Sequence, residues 1–337
     1  MAKYTILKLT DKDYSLWDEF VVSCPSGKIF HTVKWLSMVS DHIDIIGVIN
    51  DREELIGGVC LPVMKQGLIP RSFIPPLTPY LGPLFQVPSV SDTSKIRAVE
   101  RMVYRLVISE LKSKRNYDFI LPSEQINLSE FIFAGFSINM SITYKFSGSV
   151  IEYYGNMAKN EKQALNKLNI LINNGDLSIS TVEDVDEVSG VFHDVFRSRI
   201  GLIHRIFKKE GIDKYWKGFY VKDKHGDVLS ARLTIFDSKC GYALVTGSRR
   251  DTDGILSQTT LLTYDTCIRY YLEKGMSIDF CGSNIPGVAN ILTHLGGNPT
   301  PRYRVSRYKT AFHSIAKSIR DVNLKKRKQI KYEFKKK

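Results

Sequence analysis

The chain has 337 residues, 43% hydrophobic and 25% charged, a composition that excludes a disordered polymer and suits folded domains. One ordinary core is too small for this length, so two domains of about 150 residues each are expected. The net charge of +13 is uneven, because ten Lys/Arg against Asp321 and Glu333 put +8 between Lys317 and Lys337.

In chain order, a helical pattern begins at Leu16–Phe20 and carries Trp17. The turn CPSGKI then leads to IFHTVKWLSMV, where Ile29, Val33, Trp35, Leu36 and Val39 fit one face of a helix. IDIIGVIN and ELIGGVCLPVM read as two strands joined by the turn NDREE. Residues 67–88 hold six of the twelve prolines, which predicts a long stiff loop without helix or central strand. Such a loop either lines a cleft or serves as a structural cover. Residues 94–114 predict a long helix with Val99, Met102, Val103, Leu106, Val107 and Leu111 on its apolar face. The strand YDFILP and the short apolar piece LSEFIFAGF follow.

The second half repeats this order. YVKDKHGDVLSARLTIF predicts a strand pair, and GYALVTGS a third strand. A helix is predicted over 258–274, with Leu261, Tyr264, Ile268, Tyr271 and Leu272 on one face and Gly275 as its C-cap. SIDFCG then reads as a strand and PGVANILTHLGG as a helix begun by Pro286. Asp118 to Gly135 spans 17 residues, and so does Asp279 to Gly296. An internal duplication with little residue identity is the expected cause. Mixed sheets flanked by helices would make each half an α/β domain.

Several chemistries lack their marks. There is no G-x-x-x-x-G-K-[ST], G-x-S-x-G, H-E-x-x-H or G-x-G-x-x-G. The seven histidines show no metal-like spacing, so no metal is expected. The five scattered cysteines read as reduced structural thiols of a cytoplasmic protein. No segment approaches the roughly 18 apolar residues of a membrane span, and MAKYTILKLTDKDYSLW has no secretory pattern. What remains is transfer between two bound substrates, where positioning supplies much of the rate. An amine attacking a thioester or ester needs a base for one proton and a donor for the oxyanion.

The run of Trp17, IFHTVKWL, PPLTPYLGPLF, LSARLTIF, SQTTLLTYDTCIRYYLEKGMSIDFCGSN and HLGG resembles the tandem GNAT-fold proteins of the FemABX type. Those are peptidoglycan-bridge aminoacyltransferases and their acyltransferase relatives, and the likeness covers roughly residues 15–310. It implies an α/β fold of two tandem GNAT-like domains, over 1–145 and 146–312, with a basic segment over 313–337. It places an acceptor cleft in the first domain, matching Phe30, His31, Thr32 and Trp35, with Tyr80 in the proline-rich run. Arg199, with Arg197 nearby, would meet acceptor phosphates; the alternative is an exposed arginine on a helix. The donor side falls on GSRRDTDGILSQ, where Arg249, Arg250, Gly254, Ser257 and Gln258 stand in a degraded pyrophosphate loop before a helix start. Exposed turn residues are the other reading of Arg249 and Arg250.

Asp279 and Ser283 would lie at the mouth of the second sheet as catalytic residues, Asp279 as base or orienter. A cap for the helix near Pro286 is the competing role for Asp279. Two lysines of the lipid-precursor enzymes are absent, since Leu36–Val39 and Ile291–Leu292 occupy their positions. The leading expectation is N-acylation of an amino sugar or amino acid from acyl-CoA, with the acceptor free or on a nucleotide or lipid carrier. Aminoacyl transfer from tRNA to a peptidoglycan precursor and a non-catalytic binding protein remain as alternatives. The basic segment suits tRNA or an anionic membrane face equally, and as a solvated frayed helix it would serve solubility alone.

Overall fold

A computed structural model describes residues 4–66, 69–72, 74–86, 92–112, 116–124, 127–196, 199–249, 255–282 and 285–307. The chain divides into two compact units, Met1–Ser141 with Pro301–Lys337, and Ile142–Thr300. The sequence had suggested contiguous domains over 1–145 and 146–312. The units differ from that cut because the chain returns to the first unit at its end.

In chain order the first half forms β1 (Thr5–Leu9), α1 (Tyr14–Ser23), α2 (Val33–Val39), β2 (His42–Ile49), β3 (Leu55–Gln66), β4 (Ile69–Ser72), β5 (Leu84–Phe85), α3 (Thr93–Lys112), β6 (Asn116–Leu121) and α4 (Ser129–Phe133). There follow β7 (Ser137–Phe146), α5 (Val150–Asn156), α6 (Lys159–Asn173), β8 (Leu177–Thr181), α7 (Ser189–Phe196), α8 (Ile200–Phe207), β9 (Trp216–Asp223), β10 (Val228–Phe236), β11 (Cys240–Ser248), α9 (Ile255–Glu273), β12 (Ser277–Asp279), α10 (Pro286–His294) and β13 (Asn298–Arg307).

The first unit's strands run in the order β1-β2-β3-β4-β6-β13 and the second unit's in the order β7-β12-β11-β10-β9-β8. On α3, Val103, Val107 and Leu111 recur at helical spacing and are fully buried with Val59, Phe119 and Leu121. On α9, the five residues assigned to one face are all buried, against Phe219, Ile278 and Leu292 among others. The Gly275 and Met276 N–H groups close that helix on the carbonyls of Leu272 and Tyr271.

The duplication is visible in backbone detail. The β2–β3 and β9–β10 hairpins share one turn: Asn50 Oδ1 accepts from the N–H of Arg52 and Glu54, and Asp223 Oδ1 from those of His225 and Asp227. The left-handed position of that turn falls on Glu53 (φ 61°) in one repeat and Gly226 (φ 87°) in the other. Likewise α4 and α10 end on Gly135 (φ 78°) and Gly296 (φ 83°). In each case the following residue donates to the carbonyl five residues back, Phe136 to Phe131 and Gly297 to Leu292, a Schellman ending that glycine favours.

The two repeats also exchange their last strands. β13 runs antiparallel to β6, with Val305 opposite Phe119, while β7 runs antiparallel to β12, with Phe146 opposite Ile278. The proline-rich region departs from its expected loop. It contributes β4, which joins β3 and pairs in parallel with β6 through Arg71 and Ser72, and β5, which pairs with Gly57 and Gly58. Pro70 fits because β4 is only four residues long and the carbonyl of a proline still accepts.

One buried ionic cluster ties α4 to α3. Glu130 is 4% exposed and accepts from Arg101 Nε at 2.8 Å and Arg105 Nε at 2.7 Å. Burial works against its carboxylate, but the bonds and charges of Arg105 and Arg101 outweigh it, so its pKa lies below the ordinary 4.5. The folded chain therefore holds this proton more weakly than the unfolded chain. The stability difference between the wild type and Glu130→Gln should be full above pH 4.5 and shrink as pH falls through the lower folded value. Urea midpoints of both proteins between neutral pH and acid test this; a difference that grows on acidification refutes it.

Candidate active site

In the second unit, β11 and β12 run parallel but pair only at Cys240–Ser277, Gly241–Ile278 and Tyr242–Asp279. Beyond that point β12 has ended, at Asp279, while β11 continues to Ser248 beside β10. The carboxyl end of such a strand is where ligands of open α/β sheets bind.

Asp279 stands at that point and is fully buried. Its Oδ1 accepts from Thr143 Oγ1 at 2.5 Å and from the Cys281 N–H at 2.7 Å. The same Thr143 hydroxyl accepts from the Gly282 N–H at 2.9 Å. One carboxylate and one hydroxyl thus fix the turn that leaves β12, in which Cys281 takes a left-handed conformation (φ 56°) that a non-glycine residue adopts at a cost. The helix begun by Pro286 has Ile285 at its N-cap position, with no side-chain capping bond. The Asp279 carboxylate holds its own strand's exit. Ser283 lies outside the described residues.

Facing α9 from β10 is a buried polar row of Ser230, Arg232 and Thr234. Ser230 Oγ donates to the Thr259 carbonyl on α9, and Thr234 Oγ1 lies 2.6 Å from Tyr271 Oη. Between them the Arg232 guanidinium, 1% exposed, lies 3.8 Å from the ring centroid of Tyr264 and 5.1 Å from that of Phe280. Cys267 is near enough to feel its charge: burial pushes that thiol up to about 12, against the lowering effect of Arg232. Arg232 was missed in the sequence, although its motif LSARLTIF was noted. The signal was the S-x-R-x-T alternation, which puts three polar residues on one face of a strand with partners on both sides.

The acceptor residues expected in the first unit are in its core. His31, Thr32, Trp35 and Tyr80 are 1%, 8%, 0% and 0% exposed. Thr32 Oγ1 caps α2 by accepting from the Trp35 N–H, and Trp35 Nε1 donates to Thr78 Oγ1 at 2.9 Å. Trp17 Nε1 donates to the His31 carbonyl, and Asp18 accepts from the Val33 N–H at 2.6 Å. Lys28 Nζ sits 5.2 Å from the Tyr80 ring centroid. These groups seat the start of α2 on α1 and the proline-rich segment. A groove of about 750 Å³ in this unit lies elsewhere, lined by residues including Leu7, Leu16, Glu19, Phe20, Glu53 and Glu54.

The remaining candidates are dispersed. Arg199 is exposed just before α8. Arg249 is half-exposed and pairs with Asp227 at 3.0 Å. Gln258 is exposed in the first turn of α9, where Ser257 also lies. Arg197, Arg250 and Gly254 fall outside the described residues. Among the described residues no group of His, Cys, Asp and Glu could hold a metal ion, and no helix is long and apolar enough to cross a membrane.

No protein-family model and no curated protein matches the chain by sequence. Solved structures do match. FemX is similar with a TM-score of 0.63 at 12% identity, over 89% of this chain and 96% of that one. A conserved protein of unknown function from Bacteroides thetaiotaomicron has a TM-score of 0.54 at 12% identity, over 90% and 99%. The C-terminal domain of a protein assigned as a lysylphosphatidylglycerol synthetase from Agrobacterium fabrum has 0.52 at 11% identity, over 94% and 97%. Identity this low speaks for the fold. The chain has an α/β fold like that of FemX, the tandem GNAT-like architecture its motifs suggested.

Proposed function

We propose that the protein is a GNAT-type N-acyltransferase that moves an acyl group from acyl-CoA to the amine of an amino sugar or amino acid. A nucleotide- or lipid-linked envelope precursor is the acceptor class that suits the arginines near α8 and the basic C-terminal segment, which would also hold the protein at an anionic membrane face. The end of β12 at Asp279, beside a β11 that runs on to Ser248, carries this reading. Backbone N–H groups of β11 past Tyr242 would hold a thioester carbonyl and stabilise its developing oxyanion.

In the reaction the acceptor nitrogen forms a bond to the acyl carbon. The C–S bond then breaks, and the amine proton leaves as the CoA thiol is released. Asp279 and Thr143 are positioning residues here, fixing the turn beside the reacting carbonyl. The first turn of α9, with Ser257 and Gln258, together with Arg249, Arg250 and Gly254, forms the donor side. Backbone N–H groups at a helix start suit a pyrophosphate. Arg197 and Arg199 take the acceptor's phosphates.

Calorimetric titration of the full chain with acetyl-CoA, against free CoA, tests the donor. Micromolar binding that survives moderate salt supports it. Absence of binding overturns it and makes charged tRNA the next donor to try, with a non-catalytic role if that also fails.

A further inference from the structure

Arg232 is a buried charge without a countercharge. Its Nε and Nη2 atoms are both buried and have no hydrogen-bond partner among the described residues. Asp265, the buried acid of α9, is taken by Tyr153, Tyr154 and Arg269. Two aromatic faces offset part of the penalty by cation–π attraction. They act on the plane of the guanidinium, however, and leave its in-plane donors unanswered. An isolated buried ion is strongly unfavourable, so this one has a reason to persist.

The two orphaned atoms identify the missing partner. Nε and Nη2 form one edge of the guanidinium fork, which matches the two oxygens of a carboxylate. The protein uses this same edge elsewhere: Arg304 grips Asp118 of the first unit with Nε and Nη2. In the second unit the edge is present and the acid is absent.

We propose that Arg232 receives the carboxylate of a ligand that enters at the carboxyl end of β12. Phe280, one of the two rings over the guanidinium, directly follows β12 at that place. With the arginine only 1% exposed, the smallest anion that fits its edge, a planar carboxylate, is assigned in preference to a pyrophosphate. The ligand class is therefore a short carboxylate, either the acid end of an amino acid or the far end of a dicarboxylic acyl chain. The assignment deepens the acyl-transfer reading by giving one of its two substrates an acid group, yet its test needs no turnover.

The experiment follows thermal unfolding and calorimetric binding of the full chain with succinate, acetate and glycine, at constant ionic strength. Succinamide and acetamide are the neutral controls, and inorganic phosphate the tetrahedral one. The wild type should rise in Tm with a carboxylate and not with an amide. Glycine alone acting points to an amino-acid ligand, succinate alone to a dicarboxylic acyl group, and either supports the proposal. Arg232→Met should lose the response, bind the active acid about thirtyfold more weakly, and unfold without added acid at or above the wild-type Tm. Arg232→Lys, charged but without the fork, should lose most of the response while staying folded. A wild type indifferent to every carboxylate, or one that answers phosphate alone, overturns the assignment, as does an Arg232→Met protein that keeps the full response. Carboxylate binding without acetyl-CoA binding removes the proposed donor and leaves the Arg232 site standing. The opposite result removes the site and leaves the donor.

Discussion

Asp279→Ala should lower the stability of the full chain by about 3 kcal/mol, because two hydrogen bonds to a charged, buried acceptor are lost at once. Thr143 and the Cys281 N–H both point at Oδ1 of Asp279. The left-handed Cys281 then loses the bond that holds it. Asp279→Asn keeps an oxygen at the same place, able to accept both bonds, and should fall within about 1 kcal/mol of the wild type. Urea unfolding measures the two costs. Turnover separates positioning from chemistry: the Asn variant should keep acyl transfer within a few-fold, while the Ala variant loses most of it. An Asn variant that is as stable as the wild type but inactive would make Asp279 the base instead.

Duplication was legible because it is written in local signals. A glycine that ends a short helix, an Asx residue that opens a hairpin, and a helix face at spacings of three and four all act over a few residues. They recur in the same order in the two halves, and the equal Asp118–Gly135 and Asp279–Gly296 spacings pair Gly135 with Gly296 from the sequence. The strand exchange was not legible. Periodicity says which face of β7 or β13 is buried, and nothing in it says which sheet edge the strand joins. The same gap hid β4 and β5, since proline density reports lost donors but not a strand that uses its carbonyls. In the candidate site, Asp279 was found because an acid at the end of an apolar strand is conspicuous. Arg232 was missed because alternation inside a strand ordinarily means a polar face in water. His31, Thr32, Trp35 and Tyr80 were expected in an acceptor cleft from motif likeness. Their burial follows from a cap and two indole hydrogen bonds, from Trp17 and Trp35, whose partners are distant in sequence.

That burial makes the first unit's opening motif the place where a substitution should cost most. Trp35 is fully enclosed, packs edge-on against Phe30 with centroids 5.0 Å apart, and donates its indole N–H to Thr78. Trp35→Ala should cost about 3–5 kcal/mol, the range for emptying a large aromatic site in a core. Loss of the Thr78 bond moves it toward the upper end. Trp35→Phe keeps the ring contact with Phe30 but leaves the buried Thr78 hydroxyl short of a partner and a small void beside it, for about 2 kcal/mol. Thermal and urea unfolding of the two variants test this order. The same pair decides whether the motif also touches the acceptor, since a role confined to seating α2 predicts that Trp35→Phe lowers Tm and leaves KM for the amine unchanged. A raised KM at unchanged Tm would bring the indole to the substrate, which its present enclosure does not allow without movement of the proline-rich segment that carries Thr78.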